Sequence, residues 1–158
     1  MIETVMLAIG PDDGDRIDKL AAQAIDLAQP ADATVILGHV LSQNTLEEER
    51  QQYNEAIDQV GQDVRKEDIT PERLAKDTDP VRKAIDQLEA TAVEFEIRAG
   101  AGDKAEELSR IAEANNVDNL IIGGQKRSPA GKAMFGSTTQ RLLLNAPCPV
   151  TYVRDRDE

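Results

Sequence analysis

The 158-residue sequence holds one cysteine, one histidine, no tryptophan, two tyrosines and two phenylalanines. The single cysteine, Cys148, excludes an intrachain disulfide, and its expected state is that of a small buried hydrophobe. The single histidine, His39, excludes both a histidine metal cluster and a Ser-His-Asp triad. Set within an apolar run, it reads as a packing or hydrogen-bonding residue. No apolar run approaches the roughly 18–20 residues needed to cross a bilayer. No positive region precedes an apolar stretch near Met1, so a signal peptide is not expected either. The expected location is cytoplasmic, and the length fits one domain spanning residues 1–158.

Positive charge is scarce as well. Thirty acidic residues against eighteen basic ones leave a net charge of −12. Such a surface repels nucleic acid and anionic membrane, and it suits an acidic, halophile-type chain kept soluble in a salt-rich cytoplasm. The imbalance is uneven. Residues 1–118 carry 27 acidic and 12 basic side chains, whereas residues 119–154 carry no acid and five bases: Lys126, Arg127, Lys132, Arg141 and Arg154. Two buried strands explain part of that acid-free stretch. They do not explain the cluster Lys126, Arg127 and Lys132 lying between them, which an anionic ligand would.

Along the chain, short apolar runs alternate with amphipathic segments. Residues 4–9, 33–41, 119–122 and 150–153 read as buried strands, and residues 93–98 alternate as an outer strand does. The spacing predicts helices over residues 12–28 (with Asp12 or Asp13 as N-cap), 45–66, 79–90, 103–115 and 136–145. Residues 67–78 contain Pro71 and are compatible with either a loop or a short helix. Residues 100–102 read as a turn. Strands alternating with helices predict a mostly parallel sheet covered on both faces. Ligands of such sheets sit beyond the carboxyl ends of the strands, where strand order reverses. Three loops therefore qualify, after Ile9, after Val40 and after Ile122.

Two glycine patterns are set aside. Gly100-Ala101-Gly102-Asp103-Lys104-Ala105 has the form of a dinucleotide fingerprint, but the following strand ends in Gly123-Gly124 where that fold places a ribose-binding acid. Gly131-Lys132 has the wrong spacing from Gly124 for a phosphate-binding P-loop, and Ala133 replaces its Ser/Thr. The remaining candidate is the segment 123–138. Gly123 leaves a strand tightly and leaves room for a ligand. Gly136-Ser137-Thr138 then opens a helix whose free N–H groups and positive dipole end favour an anion. Ser137 is alternatively an ordinary N-cap. No catalytic constellation emerges, and any slow nucleotide hydrolysis would depend on bound metal and a positioned water.

The frame Gly123, two residues, position 126, nine residues, Gly136-Ser137 resembles the universal stress protein family, whose ATP-binding members carry Gly-x2-Gly-x9-Gly-Ser/Thr. The strand at residues 5–9, His39-Val40, and Asn145-Ala146-Pro147-Cys148-Pro149-Val150 leading into the last strand resemble that family in the same order. The resemblance implies a five-stranded Rossmann-like α/β sheet with helices on both faces. It also implies a homodimer through Val150–Val153, and a stress-response protein that binds an adenine nucleotide (ATP, ADP or AMP) or a related phosphate ligand, with Mg accompanying ATP. Phosphate would meet Gly123, Lys126, Arg127, Gly136, Ser137 and Thr138. The base would lie between Ile9, Gly10, Pro11 and Asp12 on one side and Val40 on the other. Two positions depart from the frame. Lys126 replaces its second glycine, and Gly10 stands where ATP-binding relatives place an aspartate, with Asp12 close behind. These departures support the alternative of a nucleotide-free, dimeric protein-interaction module with an unknown protein partner.

Overall fold

The computed structural model describes residues 1–60, 69–124 and 136–154. Along them run strands β1 (Thr4–Ala8), β2 (Thr34–Leu41), β3 (Phe95–Ala101), β4 (Asn119–Gly123) and β5 (Val150–Val153). The helices are α1 (Ile17–Ala28), α2 (Gln43–Val60), α3 (Pro71–Lys76), α4 (Asp79–Glu89), α5 (Lys104–Ala114) and α6 (Ser137–Asn145). Each of the first four strands is followed by a helical crossover, the connection parallel strands require. The five strands form one sheet in the order β3-β2-β1-β4-β5, with every neighbouring pair parallel. The register places Val5 beside both Val35 and Asn119, and Leu120 beside Val150.

The two-residue repeat of the strands sorts their side chains between two cores. Val5, Leu7, Val35, Leu37 and Ile121 point to one face, where Ile17, Leu20, Ala21 and Ala24 of α1 and Val81, Ala84 and Leu88 of α4 cover them. Met6, Ala8, Ile36, Val40, Leu120 and Ile122 point to the other, against Leu108, Ile111 and Ala112 of α5 and Leu142 of α6. Cys148 is half-buried beside that second core, and burial pushes its thiol above the ordinary range.

Several expected boundaries move. Helix α1 starts at Ile17 rather than Asp12, because Asp13 turns back to accept a hydrogen bond from the Gly10 amide (2.7 Å) instead of capping a helix. The turn expected at residues 100–102 is strand as far as Ala101, since β3 continues to pair with β2 up to Leu41↔Ala101. Only then does Gly102, with φ +125°, supply the left-handed turn that glycine adopts without a steric cost. Within residues 67–78, α3 forms behind Thr70, whose hydroxyl caps the Arg73 amide, with Pro71 opening the first turn. The end of the helix expected over 45–66 lies outside the described residues beyond Val60.

Candidate functional site

The chain builds β1, β2 and β3 outward in one direction, then returns to place β4 on the other side of β1. At that reversal the loops leaving β1 and β4 diverge, and a crevice opens at the carboxyl ends. A cavity of about 270 Å³ occupies it. Ile9, Gly10, Pro11 and Asp12 line it from the loop after β1, Val40 from the end of β2, and Gly123 from the end of β4. Gly136, Ser137 and Thr138 line it from the start of α6. Lys126 and Arg127, expected at the same place, lie outside the described residues, as does Lys132. The cavity is also lined by residues that sequence reasoning did not place at the site: Asp13, Arg16, Lys104 and Thr139, over an apolar floor that includes Leu108 and Leu142.

The loop after β1 is held from within. Asp13 and Arg16 are 7% and 9% exposed, so their charges are buried and must satisfy one another. Arg16 Nε donates to Asp13 Oδ1 at 2.6 Å, and its Nη1 donates to the Gly124 carbonyl across the reversal. Removing one member of such a pair typically costs about 3–5 kcal/mol, because the other is left charged and buried. Asp13 and Arg16 fall within the helix expected over residues 12–28, whereas the pair closes a loop ahead of α1.

His39 braces the same loop from β2, its Nδ1–H donating to the Ile9 carbonyl at 2.7 Å. Burial pushes the imidazole below its ordinary value, opposed by that hydrogen bond. The neighbouring Lys104 ammonium lowers it further, and Asp13 opposes the shift more weakly. A neutral His39 with Nδ1 engaged acts as a strut.

The facing wall is the start of α6. Gly136 is the N-cap residue, with φ −65° and ψ 161°, and no side chain caps the helix. Ser137 is therefore the first helical residue rather than the cap. The first-turn amides point out of the helix beside the positive end of the dipole, and among the described residues no side chain caps them. A Cβ added at Gly136 would meet nothing within 4 Å, so among the described residues no atom demands glycine there. Helix α6 is tied to α5 by Arg141, whose Nη1 donates to Asp103 Oδ2 at 2.9 Å. Asp103 also accepts from the Glu106 amide as the N-cap of α5, and both bonds hold its carboxyl below the ordinary carboxylate range.

Gly123 and Gly124 have a different cause. A Cβ at Gly123 would lie 3.0 Å from Arg16 Cδ and 3.2 Å from the Leu20 methyls. At Gly124 it would overlap the Tyr152 ring. Packing of α1 and β5 thus accounts for these glycines, and Gly123 also lines the cavity. The cleft offers uncapped amides and Ser137, Thr138 and Thr139 hydroxyls on one wall, a braced loop on the other, and an apolar floor. That arrangement can hold a flat apolar group and an anion together. Among the described residues no group of three His, Cys, Asp or Glu could bind a metal.

The universal stress protein family model matches residues 1–154. A universal stress protein of Mycolicibacterium smegmatis is 43% identical over 68 residues, 42% of this chain and about half (52%) of that protein. One from Methanothermobacter thermautotrophicus is 25% identical over 158 residues, 98% of this chain and 99% of its own. Among solved structures, a family member from Arabidopsis thaliana with AMP bound is similar at a TM-score of 0.59 and 13% identity, covering 98% of this chain and 92% of its own. The universal stress protein of Archaeoglobus fulgidus in complex with dAMP is similar at 0.55 and 18%, covering 96% and 98%. At these identities the structural likeness establishes the fold alone.

Proposed function

The chain belongs to the universal stress protein family, and we propose on that premise that its cleft binds an adenine nucleotide (ATP, ADP or AMP) in a stress-response role. The observation that carries this reading is the meeting of the β1 loop, Val40 and the uncapped start of α6 around one cavity at the strand-order reversal. Family relatives bound to AMP and to dAMP support it. In this reading the phosphate lies against Gly136, Ser137 and Thr138 near Gly123, with Lys126 and Arg127 supplying charge. The base lies between residues 9–12 and Val40. Mg, where present, is carried by the nucleotide phosphates, since the described residues offer no carboxylate cage. Calorimetric titration with Mg-ATP at high salt tests the reading. The expected result is a saturable heat that weakens on Ser137→Ala and on Gly136→Val; no heat in the unaltered protein would sink it.

We also propose a homodimer through β5, whose outer side has no strand beside it among the described residues. The alternative function, a nucleotide-free dimeric interaction module, draws on Lys126 at the second glycine of the frame. A mass spectrum of untreated protein free of nucleotide, together with a silent titration, would favour it.

A further inference from the structure

Among the described residues two cations line the cleft, Arg16 and Lys104, and only Arg16 is buried. Its guanidinium bonds to both loops. Nε donates to Asp13 Oδ1 at 2.6 Å, Nη2 to the Asp12 carbonyl at 3.4 Å, and Nη1 to the Gly124 carbonyl. Asp12 and Asp13 belong to the loop after β1, and Gly124 is the root of the glycine loop after β4. One planar group therefore spans the strand-order reversal. Gly124 is a firm anchor, because its amide donates to the Val153 carbonyl (3.2 Å) and the Tyr152 ring covers its α-carbon. The arginine stem also packs directly on Gly123. Asp13 is drawn into the protein by the same bond, with its second oxygen on the Gly10 amide.

We propose that Arg16 is a positioning residue for the ligand of this cleft, setting the gap between the β1 loop and the root of the glycine loop and keeping the Asp13 charge cancelled. This rests on the nucleotide reading of the same cavity. The guanidinium donates in three directions from a rigid plane, whereas a lysine ammonium at the end of a flexible stem keeps the charge but not that geometry. A ligand bridging both loops meets a gap that Arg16 defines, so its loss weakens the base contacts as well as the phosphate contacts.

The test titrates ATP and adenosine into the unaltered protein, Arg16→Lys, Arg16→Ala and the double variant Asp13→Asn/Arg16→Gln, with thermal melts in parallel. Adenosine lacks phosphate and so separates geometry from charge. The double variant removes both buried charges together and guards against a fold lost to an unpaired carboxylate. The expected result is a loss of about tenfold or more for both ligands in folded Arg16→Lys and in the folded double variant. Unaltered affinity in either of these variants overturns the inference, as does a lower melting temperature with the folded protein binding normally. A loss confined to ATP also overturns it, since that reports charge alone. If the unaltered protein binds neither ligand, the nucleotide reading fails and this inference fails with it. If the unaltered protein binds and the variants match it, only this inference fails.

Discussion

Gly136 lines the cleft, Gly124 follows the cleft-lining Gly123, and the two answer to opposite demands. Gly124→Ala places a methyl into the Tyr152 ring, so urea unfolding should show a loss of about 1–3 kcal/mol or more. A Cβ at Gly136 meets no atom of the described residues, so the cost of Gly136→Val should not exceed that of a weakened N-cap, about 1 kcal/mol, while nucleotide affinity falls. A Gly136→Val protein that binds normally would separate that position from the ligand. His39 adds a pH dependence. Its folded-state pKa lies below the ordinary 6.5, so below pH 6.5 the unfolded chain takes up a proton that the folded protein resists. Stability should therefore fall as pH drops from 6.5 toward the folded-state value, and His39→Gln should flatten that part of the curve in urea melts. The sequence made this residue visible as an internal hydrogen-bonder. It could not name the partner, because Ile9 is thirty positions away and only the parallel pairing of β1 with β2 brings the two together.

Helix α6 carries one wall of the cleft, and it is seated by one buried side chain. Leu142 is 1% exposed and packs into the core formed by Met6, Leu120 and the α5 face. Leu142→Ala should cost about 2–5 kcal/mol in thermal or urea unfolding. Helix α5 carries a local conflict. Lys104 is its first residue, where a cation opposes the helix dipole, and it faces the cavity. Lys104→Glu should stabilise the fold by about 0.3–1 kcal/mol and weaken binding of any phosphate-bearing ligand, a pairing that melts and titrations together can detect. At this scale the strands and most helices were legible from apolar runs and from periodicity. The start of α1 was not, because Asp13 could equally cap a helix or serve a loop. Its distant partner in the Arg16 network, Gly124, settled the matter.

For the molecule as a whole, β5 lies at one edge of the sheet. Pro149 and Val153 carbonyls accept bonds from β4 and the residue following it, so Val150 and Tyr152, which alternate with them, turn their backbone groups outward. Val150→Pro removes an outward N–H while sparing the ladder to β4. Sedimentation should then show the unaltered protein as a dimer and the variant as a monomer, and a monomeric unaltered protein would remove β5 as the interface. What the sequence determined alone was the alternation of strand and helix, the parallel sheet, the glycine frame and most of the cleft-lining positions. Each of these follows from local spacing, from turn chemistry, from the rule that sites form where strand order reverses, or from the resemblance to the universal stress protein frame. Only the tertiary structure decided why Gly123 and Gly124 are glycines, that Arg16 joins two loops, and that Lys104 borders the cavity. Those facts depend on residues far apart in sequence coming together, as Arg16 and Gly124 do across 108 positions, and no local pattern encodes which distant surfaces will touch.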